Sequence, residues 1–261
     1  MWKGRITFGS IELPVKLYAA VEDKSIHFRL LDAKNNEPVV QHMIDPKTGD
    51  VVPSEEVRSA YATKAGQLVL LDEDELDATE PRDSREVEIL RFVDSDAIAS
   101  EWYDRPYWLG PDGQTSRLYF ALARALADQN KEGVARWVMR KKEYVGALKA
   151  EGGHLALITL RRTGEVVPAS SLSPPRGRDL NQKEVAMARQ LVESMQGSFD
   201  IESYHDTYRE RVQELADAKA EGKVVKFPRT PRRESQKSLA SVLQKSLAAA
   251  RQGKAAGRKS A

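Results

Sequence analysis

Apolar and polar residues alternate along residues 2–31, in "WKGRITFGSIELPVKLYAA" and again in "SIHFRLL". A period of two is the pattern of half-buried strands, and the β-branched and aromatic content agrees with it. "DPKTGDVVPSEEV" predicts a turn at Pro46–Gly49 and then a short helix opening at Pro53, Ser54 and the acids behind them. "GQLVLLDEDELDA" predicts a strand followed by a short, acid-led helix, and "REVEILRFV" predicts a further strand. Strands this close together, with only short helices between them, favour a barrel or curled sheet over βαβ winding.

"EWYDRPYWLGPDGQT" gathers Trp102, Tyr103, Tyr107 and Trp108 around Pro106 and ends in a turn at Pro111–Gly113. In "SRLYFALARALADQNK", Leu118, Leu122 and Leu126 recur at helical spacing. "VARWVMRKKEYVGAL", from Val134 to Leu148, reads as one long strand. Gly152–Gly153 signals a turn, and "HLALITLRR" returns to complete a long hairpin over about residues 133–162. After "PASSLSPPRGRDL" the pattern becomes helical. Asn181 is placed to cap "QKEVAMARQLVESMQG", and "SYHDTYRERVQELADAKAEGK" puts Tyr204, Tyr208, Val212 and Leu215 on one face of a second helix. "FPRTPRR" interrupts the chain before a small basic amphipathic segment built on Leu239, Val242, Leu243 and Leu247, and "QGKAAGRKSA" reads as disordered.

Charge sharpens this division. The net charge is only +2, but residues 223–261 hold eleven Lys/Arg and a single acid, Glu234, so the remainder is acidic. An acidic body with a strongly basic tail points to a polyanionic partner for the tail; the plainer alternative is a solubilising extension. The absence of cysteine excludes disulfides and thiolate metal sites. No apolar run suits a signal peptide or approaches the roughly 18 residues of a membrane span, so a soluble, cytoplasmic protein with no membrane partner is expected.

The chemistry of catalysis is sparse. His27, His42, His154 and His205 form no pair at metal-ligand spacing, and no GxxxxGK[ST], GxGxxG or GxSxG occurs. The acids of residues 72–80 would serve a metal-dependent nuclease only if they converged in space; placed as they are, they begin a short helix and suit its dipole. His205 and Asp206 are neighbours on a helix and point apart. No catalytic residue, metal or cofactor is expected.

The basic strand asks for another explanation. Strand alternation puts Arg136, Arg140 and Lys142 on one face with Val134, Val138 and Tyr144, and Trp137, Met139, Lys141 and Val145 on the other. Neither face is wholly apolar. At roughly 3.3 Å per residue such a strand spans roughly 50 Å, which predicts an arm leaving the body. Bases spaced along an arm suit a phosphate backbone and carry no sequence information; alternatively they are the solvated face of an ordinary hairpin.

Several of these blocks together resemble the bacterial Ku proteins of non-homologous end joining. They are "WKGRITFGSIELPVKLYAA" (2–20), "GDVVPSEEVRSAY" (49–61), "GQLVLLDEDEL" (66–76), "DRPYWLGPDG" (104–113), "VARWVMRKKEYVGALKAEGGHLALITLR" (134–161) and "YHDTYRERVQELADAKAEGK" (204–223). The resemblance implies a mixed, mainly β fold: a β-barrel core over 1–180, with a long β-hairpin arm or bridge at about 104–165. C-terminal helices at 181–222 would follow, then a basic, largely disordered tail at 223–261. It further implies a ring-shaped homodimer that a double-stranded DNA end threads, no catalytic activity, and recruitment of DNA ligase D, in the cytoplasm and at the nucleoid.

On that reading Arg136, Arg140 and Lys142 are the leading phosphate contacts. Lys141, Lys149, Arg161 and Arg162 come second, and Arg117 last. Tyr208, Val212 and Leu215 would dock the ligase through a helix-in-groove contact. A metal-dependent nuclease and an RNA-binding accessory factor are the rival readings.

Overall fold

The alternation at the start of the chain folds as a hairpin. β1 (Trp2–Phe8) and β2 (Ile11–Ala19) pair antiparallel from Trp2↔Leu17 to Phe8↔Ile11, with Ile6, Leu13, Val15 and Leu17 buried on the inner face. The computed structural model describes residues 2–82, 84–113, 116–172 and 182–224. In chain order there follow β3 (Ala60–Ala62), β4 (Leu68–Leu70), helix α1 (Glu73–Thr79), β5 (Glu86–Asp94) and β6 (Tyr103–Pro111). Helix α2 (Ser116–Gln129) leads to β7 (Lys131–Met139), β8 (Lys142–Glu151) and β9 (His154–Leu160), and helices α3 (Gln182–Ser194) and α4 (Thr207–Ala220) come last.

Seven strands close a barrel in the order β1-β2-β6-β9-β8-β7-β5, and β3 pairs only with β4. All joints are antiparallel except β1–β5, which is parallel and has three registered pairs, Arg5↔Glu86, Ile6↔Val87 and Thr7↔Glu88. The interior is filled by Ile6, Leu13, Val87, Leu109, Trp137, Leu148, Leu155 and Leu157. Each large apolar side chain moved from water into such a core contributes on the order of 1.5–3 kcal/mol. The helical stripe of α2 joins this core through Tyr119, Leu122, Ala123 and Leu126. The Tyr119 hydroxyl donates to the Leu109 carbonyl at 2.5 Å and accepts from the Leu155 amide at 2.8 Å, which pins the helix where β6 ends and β9 begins.

The opposite end of the barrel is where β2, β7 and β9 finish and β5, β6 and β8 begin. Residues 20–85 leave from it after β2 and return to it at β5. This excursion has little regular structure beyond the β3–β4 hairpin and α1. Phe28, Leu30, Val40, Met43, Leu68 and Leu70 are each at least three-fifths exposed along it. α1 is closed by a capping box, in which Asp72 caps the helix and the Glu75 carboxylate accepts the Asp72 amide at 3.0 Å.

Two sequence expectations need correction. "SIHFRLL" is not a strand: its one ladder contact is the isolated bridge Leu31↔Pro38. Alternation reports amphipathy and cannot say whether a neighbour offers hydrogen bonds. Conversely, the aromatic stretch at 103–111 is a strand, and its Pro106 sits where the β6–β9 register shifts, a place that tolerates the missing amide.

The second correction is to the long arm. Residues 134–148 run as two strands of the barrel wall, β7 and β8, joined by a two-residue turn at Arg140–Lys141. Both turn residues adopt positive φ, 54° and 60°, where a type I′ turn ordinarily takes Asn-Gly. The reversal also breaks the expected face: Lys142 lies opposite Met139, on the strand face of Trp137, and not with Arg136.

The chain forms two units, one over Met1–Ser171 and a second that begins at Leu172. In the second, α4 starts at Asp206, whose carboxylate accepts the amides of Tyr208 and Arg209 at 3.1 and 3.0 Å. Tyr204 therefore precedes the helix and stacks near Phe199 instead. Asn181, the basic amphipathic segment and the tail beyond Val224 lie outside the described residues. Among the described residues no helix is long and apolar enough to cross a membrane.

Candidate nucleic-acid interface

The cations singled out in the sequence gather unequally. Lys142, Arg161 and Arg162 line one groove, with Asp104, Glu143 and Tyr144, where β8 begins and β9 ends. Arg140 lines a neighbouring recess with Arg105, a residue that was not among the candidates named from the sequence. Arg117, at the start of α2, lies towards the opposite end of the barrel.

Their side chains differ in how far they are already engaged. Arg136 donates to Glu88 at 2.8 Å across the β5–β7 joint, and that hydrogen bond raises its pKa. Lys141 reaches Glu80 at 2.9 Å and Asp77 at 3.1 Å, which raise its pKa and clamp the end of α1 to the β7–β8 turn. Four of the acids of 72–80 thereby have structural roles: Asp72 and Glu75 cap α1, and Asp77 and Glu80 hold Lys141.

Arg161 donates to the carbonyls of Glu101 and Tyr103 and to Asp104 at 3.1 Å, bracing the start of β6. Arg162 donates to the Glu143 carbonyl, while its backbone amide meets Glu165. Among the described residues, Arg140, Lys142, Arg162 and Arg117 form no ion pair with an acid; Lys142 also lies 5.9 Å from the centre of the Tyr144 ring.

Lys149 is drawn inward. Its ammonium lies 3.0 Å from Glu132 Oε1 and 4.8 Å from the Tyr103 ring centre. Glu132 is 1% exposed, and its other oxygen accepts the Tyr103 hydroxyl at 2.7 Å. Oε1 has the ion pair but no aligned hydrogen bond. Burial first, then the hydrogen bond to Glu132 and its charge, hold the Tyr103 phenol well above its usual pKa, so it remains a donor. A buried carboxylate left with a single partner is costly, and Lys149 therefore serves the fold here.

The arrangement suits polyanion binding. The outward cations are arginines and lysines at the strand ends, and the helix that meets them, α1, is acid-led and unsuited to a groove of DNA. The Arg140–Lys141 turn is the most telling feature. Non-glycine residues in the left-handed region cost roughly 1–2 kcal/mol each, and a cationic pair kept there points to a use for its charge. On α4, Tyr208 is exposed and Val212 and Leu215 are half-buried.

Comparison with known proteins agrees in kind. The family described as the Ku70/Ku80 beta-barrel domain matches residues 7–191. The chain is 36% identical over 263 residues to the non-homologous end joining protein Ku 1 of Saccharopolyspora erythraea, covering 97% of this chain and 79% of that protein. It is likewise 36% identical over 253 residues to the Ku protein of Anaeromyxobacter sp. (strain K), covering 96% and 86%. Against the Ku protein of Mycobacterium tuberculosis the identity is 32% over 228 residues, covering 85% and 83%.

Proposed function

The chain belongs to the Ku family, and on that premise we propose that two copies of it encircle the end of a broken DNA duplex without reading its sequence. It is a non-catalytic end-binding protein that recruits DNA ligase D. The observation that carries this reading is the excursion of residues 20–85. It leaves and re-enters the barrel at the end where Arg140, Lys142 and Arg162 project, and it bears a line of exposed apolar side chains. Apolar surface on this scale calls for a cover, and a second copy supplies it while closing a ring. Tyr208, Val212 and Leu215 of α4 are the proposed ligase contacts, and the basic residues after Lys223 add sequence-independent affinity.

Competition between DNA forms tests the ring. Linear duplex is expected to bind, and a closed circle of the same sequence to compete poorly, because a circle offers no end to thread. The mass of the complex on a short blunt duplex should correspond to two copies. Equal competition by the circle, or a single copy on the duplex, would overturn the proposal.

The strained turn offers a second test, in which stability and function move in opposite directions. Replacing Arg140 and Lys141 with glycine relieves the positive φ at both and gives up only the exposed ion pairs of Lys141, so the thermal midpoint should stay level or rise. DNA affinity should nevertheless fall on every sequence alike, and the slope of log affinity against log salt should shrink by about 3.6 if both side chains of both copies meet phosphates. Unchanged affinity would take the turn out of the interface.

A further inference from the structure

We propose that the recess beside Arg140 holds one unpaired nucleotide at a DNA end. The proposal rests on the end-binding reading and extends it to the chemistry of the end. The recess is lined by Trp2, Tyr18, Tyr107 and Met139, together with Arg105 and Arg140. Its volume, about 620 Å³, falls within the roughly 300–1,000 Å³ typical of small-molecule sites.

Each part of a nucleotide finds a complement there. Aromatic rings and a polarisable thioether accept the face of a base, whatever its identity. The two arginines of the lining suit the phosphate. Tyr18 is 42% exposed, so part of its ring is open to a ligand. Arg140 forms no ion pair among the described residues and is held in a left-handed conformation.

Two other recesses among the described residues lack this combination. The groove of Lys142, Arg161 and Arg162 is charged and has only Tyr144 as an aromatic. The apolar groove of Phe8, Phe92, Leu122 and Leu126 has one cation, Lys131, which is 2.5 Å from Asp94. A base within a duplex has both faces stacked and cannot enter a recess of this kind, so the ligand is a nucleotide already freed from pairing, at an overhang or a frayed terminus.

The test uses the full chain and a DNA hairpin with one open end, either blunt or extended by a short unpaired strand that ends in fluorescent 2-aminopurine. Stacking in the recess should quench the fluorophore, and the extension should tighten binding by about tenfold over the blunt hairpin. Tyr18→Leu should abolish both effects while blunt-end affinity and thermal midpoint hold. If the blunt hairpin binds but the extension is neither quenched nor favoured, the recess takes no base and the proposal fails while end binding stands. Quenching that survives in both Tyr18→Leu and Tyr107→Leu places the base elsewhere and also overturns it. Failure to bind even the blunt hairpin removes the premise, and the proposal with it.

Discussion

Raising monovalent salt from 50 to 200 mM is expected to weaken binding to a short blunt duplex by roughly a thousandfold. Each phosphate that a cation neutralises releases a condensed counterion, so log affinity falls with log salt at about 0.9 per contact. Arg140, Lys142 and Arg162 carry no ion pair among the described residues, which makes six such cations in a pair of chains. Six contacts give a slope of about −5. Arg136, Lys141 and Arg161 begin in exposed ion pairs and must exchange one carboxylate for a phosphate, so their net contribution is smaller. Anisotropy titrations at several salt concentrations, on two unrelated sequences, measure both the slope and its indifference to sequence. A flat dependence would contradict a grip on the backbone; slopes that differ between the two sequences would contradict its indifference.

Gly146→Ala should lower stability by about 2–4 kcal/mol, near the upper end of overpacking effects. Gly146 lies on β8 opposite Ala135 and Thr159. A Cβ there would stand 2.5 Å from the Ile158 carbonyl oxygen and 2.6 Å from the Trp137 ring. The oxygen is held in the sheet, and the ring has no room to retreat: Trp137 is 1% exposed and stacks on Tyr144 with centroids 5.5 Å apart. At roughly 2–4 °C per kcal/mol for a chain of this size, the thermal midpoint should fall by about 5–15 °C. Gly197→Ala is the control, since nothing lies within 4 Å of a Cβ at that position. Equal midpoints for the two variants would refute the packing account of Gly146.

How much of this was legible in the sequence depended on the kind of signal. β1, β2, β5, α1 and α2 announced themselves, because each carries an uninterrupted period and its own caps or turns. The turn at Arg140–Lys141 did not. It lacks the Asn-Gly that such a turn prefers, and alternation continued on both sides of it, so two wall strands read as one arm. β6 was hidden by Pro106, which is harmless only because a bulge lies beside it.

Among the candidate cations, Lys142, Arg161 and Arg162 line one groove. What a linear reading does not contain is the partner across the barrel. Nothing near Lys149 in sequence reveals Glu132, and nothing near Lys141 reveals Asp77 and Glu80. The excursion was likewise visible only as scattered short elements; its exposed apolar surface is a fact of tertiary structure.

The clamp on Lys141 has a mechanical consequence. In chain order the returning limb of the excursion meets this clamp at Asp77 and Glu80 before it enters the wall at Glu86. Glu86 opens the three-pair parallel joint to β1, and tension applied there would peel that joint one rung at a time. A load on the excursion thus falls first on two ion pairs that can break and re-form. The thinnest seam of the barrel is shielded by a strain relief placed just upstream of it.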